Sequence, residues 1–472
     1  MSSEAKSLVV MKTRSPKHPA PVRGMLALFA AIGLMAQGGI ARAASDPAAN
    51  CRIGAYRLSN GGLVDVGATD EAADLRWRRE DGTTGHLTPH PDGTWTSTLG
   101  WTGRPDGIAV RFSDCRDGRI TFGGMAGKRI PFDITNTRFQ GAGVTLAGRL
   151  VLPRGHGRVP IVVLVHGAEH DSALEFYDLQ RMFPAMGIGV FVYDKRGTGA
   201  SGGRYTQSFL LLADDAIAAV QEARRLAGAR AGRVGYQAGS EGGWVAPLAA
   251  RIAPVDFVVV GFGLAVSPLD EDREAIAYDM QHQGYGPDVM AKAMQVADAS
   301  AAILLSDFRT GYDRLDALRR QYGKEPWFKH VRGDVTWALL AWPTRKLKQE
   351  GPLLFAGVPA QYDPMPVLRT LDTPQLWILG GEDADAPSGE TIRRLRSLQE
   401  TGRPITLAVF PHAEHGIYEF DTKPDGTRDD TRNADGYFRM MRDYILDGKL
   451  RDGYGNAILY RSARATPGQS RP

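Results

Sequence analysis

Ser240 lies in Ala238-Gly239-Ser240-Glu241-Gly242-Gly243, between the β-forming run Val234-Gly235-Tyr236-Gln237 and the helix-forming segment Trp244 to Ala250. A strand, a tight turn and a helix push a serine hydroxyl out of the sheet edge, and small neighbours are needed where the strained backbone leaves no room for side chains. Glycine is the usual residue two places before such a serine, and Ala238 is the mildest departure from it. Taken alone the turn could equally cradle a phosphate at the helix start. Its downstream company favours a nucleophile. An acid-rich loop, Gly380-Gly381-Glu382-Asp383-Ala384-Asp385-Ala386-Pro387, follows the run Leu376 to Leu379, and Pro411-His412-Ala413-Glu414-His415-Gly416 follows Ile405 to Phe410. Serine, then acid, then histidine, each after a strand, is one of the chain orders in which a nucleophile–base–acid triad occurs.

The candidate catalytic residues are therefore Ser240 as nucleophile, His415 as general base and Asp383 as the acid that orients the imidazole. Asp385 and Glu382 are rivals for the acid, and His412 shares the loop with His415. Backbone amides of Glu241 and Ala168 are the candidate oxyanion hole, Ala168 lying just after the strand Ile161 to Val165 in His166-Gly167-Ala168. His166 is read as a support for that turn. Asp194-Lys195-Arg196-Gly197-Thr198-Gly199 resembles a nucleotide loop but lacks the Gly-Lys-Ser/Thr ending. Asp194 and Arg196 are expected to pair beneath the site, with Ser201 a structural serine.

The elements around these residues divide the chain. From about Phe132, apolar β-rich runs alternate with helix-length segments, which predicts a mostly parallel sheet covered on both faces. Between about 265 and 371 that rhythm stops in favour of helix-forming stretches such as Asp288 to Leu305 and Tyr312 to Arg320, read as an inserted helical cap. Residues 44–131 instead show short alternating runs, such as Ile108 to Phe112, punctuated by Asp81-Gly82, Asp92-Gly93, Asp106-Gly107 and Asp117-Gly118, the residue types of hairpin tips. A small antiparallel β domain is expected there. Residues 1–43, with Lys12, Arg14, Lys17 and Arg23 before the apolar stretch Met25 to Met35 and Ala41-Arg42-Ala43 at its end, have the layout of a signal peptide cleaved after Ala43. That implies a secreted or periplasmic protein, without a stable membrane span once cleaved, in which Cys51 and Cys115 form a disulfide.

Of the 57 basic and 53 acidic side chains in the whole chain, six basic and one acidic fall in residues 1–43, which leaves 51 against 52 and a net charge of −1. A nucleic-acid partner therefore has no electrostatic footprint. Nothing in the sequence implies a metal or organic cofactor.

The segments His166-Gly167, Asp194-Lys195-Arg196-Gly197-Thr198-Gly199-Ala200-Ser201, Gly239-Ser240-Glu241-Gly242-Gly243, Gly380 to Pro387 and His415-Gly416, in this order, resemble those of bacterial α/β-hydrolases of the esterase and serine-aminopeptidase-like type. The resemblance spans roughly 132–448, with 132–472 forming the catalytic domain, and implies an acyl-enzyme mechanism on esters or peptides. Trp327, Phe328, Trp337, Trp342 and Tyr362 of the cap are candidates to line an acyl pocket, or else form the cap's own core. No acidic cluster suited to a substrate amine stands out in the sequence, which favours small or medium acyl esters or thioesters over peptides. Transfer of the acyl group to an alcohol shares the same chemistry. A reading of another class is a non-catalytic envelope-binding module that uses Trp77, Trp95 and Trp101.

Overall fold

The structure is a computed structural model that describes residues 51–461 except Ala72 and Asp425; the predicted signal segment lies outside the described residues. Among the described residues, no helix is long and apolar enough to cross a membrane.

Eight antiparallel strands close into a barrel: β1 (Gly54–Leu58), β2 (Leu63–Ala68), β3 (Leu75–Arg79), β4 (Thr84–Pro89), β5 (Thr94–Thr98), β6 (Pro105–Phe112), β7 (Arg119–Phe122) and β8 (Met125–Arg129). Closure comes from β8 pairing back onto β1, with Tyr56 opposite Arg129. Alternate residues point inward, so Tyr56, Val64, Val66, Trp77, Leu87 and Phe122 fill the interior. A disulfide joins Cys51, ahead of β1, to Cys115, between β6 and β7. Trp77 and Trp95 are core residues, at 2% and 5% exposure. Trp101 packs edge-on against Tyr418, outside the barrel, so these tryptophans do not form the binding face considered from sequence. Asp106-Gly107 is likewise no hairpin tip. It lies inside β6, where Asp106 accepts from the Ile108 amide and from Ser97 Oγ, and the pairing with β5 slips register. The same residue types that make a tight turn also make a bulge.

The second sheet holds β9 (Phe132–Gln140), β10 (Thr145–Pro153), β11 (Val159–Val165), β12 (Gly189–Tyr193), β13 (Ala231–Gly239), β14 (Val258–Gly261), β15 (Gln375–Gly380), β16 (Ile405–Phe410) and, after a small hairpin, β19 (Ile458–Tyr460). Its order is β19-β16-β15-β14-β13-β11-β12-β10-β9. β11 to β16 form a parallel centre, and β9, β10 and β19 run antiparallel at the edges. The central runs are apolar on both faces because both are covered. Helices Phe209–Ala227, Gly242–Ile252 and Gly389–Glu400 pack on one face, and Leu179–Ala185 and Tyr437–Asp447 on the other. Between β14 and β15 lie helices Pro268–His282, Pro287–Leu305, Tyr312–Tyr322, Asp334–Ala341 and Thr344–Leu354, which share a hydrophobic core of their own.

The hairpin, β17 (Tyr418–Thr422) with β18 (Arg428–Asn433), follows the loop of His415 and docks on the barrel. The Trp101 amide donates to Asp430 O at 2.8 Å, and the Asn433 amide to Gly82 O at 3.0 Å. A Cβ on Gly100 would lie 2.4 Å from Asp430 O, so only glycine allows this approach. Arg181 meets Asp65 in a two-point ion pair at 2.7 and 2.8 Å, Arg78 meets Asp178 at 2.5 Å, and Arg104 pairs with Asp421. The barrel is thus fixed to the hairpin that directly follows the loop of the histidine.

Candidate active site

Ser240 separates β13 from helix Gly242–Ile252 and sits at φ 52°, a conformation that non-glycine residues rarely adopt. A Cβ on Gly239 would meet the Phe262 ring at 2.5 Å, and one on Gly242 would meet His166 O at 2.8 Å. Ala238, by contrast, is fully buried with its methyl in the core, which explains why a non-glycine residue is tolerated there. His415 Nε2 lies 3.1 Å from Ser240 Oγ, and its Nδ1 lies 2.9 Å from Asp383 Oδ2. The other oxygen of Asp383 accepts from the Ala386 amide at 2.8 Å, which fixes the carboxylate. Of the rivals, Glu382 is 2.9 Å from His412 Nδ1, His412 is exposed, and Asp385 acts on His415 by its charge while the hydrogen bond to the ring goes to Asp383.

Burial disfavours the charged form of His415, but Asp383, through its charge and hydrogen bond, and then Asp385 and Asp334, outweigh it and push the imidazole up to about 9. The amides of Ala168 and Glu241, the candidate oxyanion donors, find no acceptor among the described residues.

Two sequence-level expectations fail. Asp194 does not pair with Arg196. Asp194 accepts from Ser172 Oγ and from the amides of Leu174 and Ala200, whereas Arg196 makes a two-point pair with Asp215 at 2.7 and 2.8 Å. Lys195, between them, reaches the site: its Nζ lies 2.5 Å from Glu241 Oε1 and donates to Gly167 O at 3.0 Å. It therefore ties together the two loops that hold the candidate oxyanion donors. Burial raises Glu241 to about 7 although Lys195 opposes the shift. His166 supports its turn through Tyr193 O and the Lys195 amide, and Ser201 bonds backbone only, accepting from the Ala147 amide and donating to Asp194 O.

The second concerns the acids of the cap; of its aromatics, Trp327, Phe328 and Trp342 take the core role that was the alternative to lining an acyl pocket, and Tyr362 packs on Phe209. None of the five aromatics lines the cavity that contains Ser240. Instead the cap supplies acids. Glu271 and Asp334 face Asp383 and Asp385 closely enough to act on one another. Burial first, then Asp334, Asp383, Asp272 and Asp385, raise Glu271 well above the usual carboxyl range, and Asp334 is raised to about 6 by desolvation, Asp272 and Asp385. Asp272 is spent capping helix Asp334–Ala341, where it accepts from the Val335 and Thr336 amides at 2.8 and 2.7 Å. An acidic cluster thus exists near the histidine, contrary to the reading from sequence. Its members come from three separate segments and meet only in the fold.

A mostly parallel sheet covered by helices on both faces, with a serine at a strand-to-helix turn and the candidate acid and histidine after later strands, decides the architecture. The chain has an α/β-hydrolase fold. Residues 158–268 match the family described as serine aminopeptidase, S33. No curated protein matches the sequence. Among solved structures, this hydrolase fold is similar to an esterase of Pyrococcus furiosus, at 15% identity and TM-score 0.39, over 60% of this chain and 83% of that one. It is also similar to an acylaminoacyl peptidase of Pyrococcus horikoshii, at 14% identity and TM-score 0.40, over 84% of this chain and 57% of that one. A third likeness is brefeldin A esterase, at 18% identity and TM-score 0.37, over 61% of this chain and 71% of that one.

Proposed function

We propose that the protein is a serine hydrolase that cleaves carboxylic esters or thioesters of small or medium acyl chains through an acyl-enzyme on Ser240. The observation that carries this reading is the continuous arrangement from Ser240 Oγ through His415 at 3.1 Å to Asp383 at 2.9 Å. His415 Nε2 takes the hydroxyl proton as Oγ attacks the carbonyl carbon, and Asp383 holds the ring and balances the imidazolium. The Glu241 and Ala168 amides receive the oxyanion. The imidazolium then protonates the leaving group, and a water deprotonated by His415 releases the acid.

One observation favours a second reading, an aminopeptidase: the cluster of Glu271, Asp334 and Asp385 beside His415 suits a substrate's ammonium group. Turnover of p-nitrophenyl esters against aminoacyl p-nitroanilides separates the two. Ester cleavage that disappears in Ser240→Ala, with anilides inert, supports the first. Anilide cleavage lost on Glu271→Gln or Asp334→Asn supports the second.

A further inference from the structure

Beside Ser240, on the sheet face opposite helix Gly242–Ile252, lies a cavity of about 240 Å³ walled by Leu179, Phe262, Tyr437 and Phe438. These walls alone would suit an alkyl chain. Three polar side chains interrupt them, and two of these keep hydrogen-bonding capacity unused. Gln237, on β13, faces the same way as its neighbours Leu164 and Val259, where the sheet is otherwise apolar. It is 6% exposed and lines the cavity. Asn433, 2% exposed, donates Nδ2 to Gly416 O at 3.1 Å while its Oδ1 is buried without a partner. Arg78 reaches the cavity from the barrel; its Nη1 bonds Asp178, and its Nε hydrogen is buried without an acceptor.

Buried polar atoms are ordinarily paired, and unpaired ones weaken a fold. Two around one small cavity, the Asn433 amide oxygen and the Arg78 Nε hydrogen, form together with the Gln237 amide a recognition surface with donors and acceptors. Arg78 is neutralised by Asp178, and Glu169, whose carboxylate accepts from the Tyr177 hydroxyl and the Gly167 amide, is left as an anion that disfavours a negatively charged acyl arm.

We propose that this cavity receives the acyl arm of the substrate and selects a short, uncharged acyl group bearing a hydroxyl or amide, read by Gln237, Asn433 and Arg78. The barrel is then part of the specificity site, since it supplies Arg78. The inference rests on Ser240 being the nucleophile.

The test compares p-nitrophenyl 3-hydroxybutanoate with p-nitrophenyl 3-methylbutanoate, which differ by a hydroxyl in place of a methyl, on the full-length protein. The hydroxy ester is expected to have a kcat/KM at least about tenfold higher, because rejecting it leaves buried polar groups unpaired. Gln237→Leu, close in volume, and Arg78→Met are each expected to bring the ratio near one or invert it, chiefly through KM for the hydroxy ester. A wild-type preference for the methyl ester, or a ratio unmoved by both variants, overturns the proposal. Should neither ester be cleaved, the esterase reading of the Ser240 site fails. The cavity is then tested separately by saturation-transfer NMR of methyl 3-hydroxybutanoate and methyl 3-methylbutanoate on Ser240→Ala: preference for the hydroxy ester supports it and equal binding contradicts it.

Discussion

At the scale of single residues, the base and its neighbours set the pH dependence. His415 must be neutral to accept the serine proton, and its pKa is pushed up to about 9. The kcat/KM of the free enzyme is therefore expected to climb with pH until about 9. Asp385→Asn and Asp334→Asn each remove a negative charge that favours the imidazolium, so in both variants the limb moves to lower pH. An unshifted limb in both would show that these acids do not act on His415. Asp383→Asn differs in kind, because it removes the ring's hydrogen-bond acceptor. It should cost roughly 10⁴-fold in kcat, and Asp385→Asn far less. Parallel steady-state kinetics of the two variants decide which acid is the partner.

At the scale of elements, each proposed catalytic side chain ends a strand. Ser240, Asp383 and His415 were legible in the sequence for that reason, since an apolar run that stops at a glycine-rich or acidic turn announces both its element and its exposed end. The helices between β14 and β15 were legible as well, because their length and composition break the strand rhythm. Partners chosen by tertiary proximity were not. Lys195 meets Glu241 across 46 positions, Arg196 meets Asp215 rather than its neighbour Asp194, and the cap acids meet Asp383 only in the fold. Barrel closure was equally hidden, since alternation fixes the face of a strand and not which strand it pairs with. The disulfide that straps this barrel spans 64 positions. Reduction, or Cys51→Ala with Cys115→Ala, should destabilise the barrel by about 2–4 kcal/mol. Chemical denaturation with and without reductant measures this.

At the scale of the whole molecule, the barrel is bolted to the α/β-hydrolase unit rather than tethered beside it. Asp65 is 2% exposed and depends on Arg181 from helix Leu179–Ala185 for its counter-charge. Arg181→Ala should therefore cost about 3–5 kcal/mol, because it leaves a buried carboxylate uncompensated. The Arg181→Ala, Asp65→Ala double variant should cost less than the sum of the two single changes. Thermal unfolding of the three variants checks the coupling, and strictly additive losses would mean that the two domains do not stabilise each other here. The same junction places Arg78 and the β17–β18 hairpin around the site, so the barrel and the proposed catalytic residues are expected to fail together when it is loosened. The central claim, that Ser240 is the nucleophile, is tested most directly by treating the intact protein with a fluorophosphonate and locating the adduct by mass spectrometry. One phosphonyl group on Ser240, absent in Ser240→Ala and much slower to form in His415→Ala, is the predicted result. An adduct on another residue, or labelling that persists in Ser240→Ala, would contradict it.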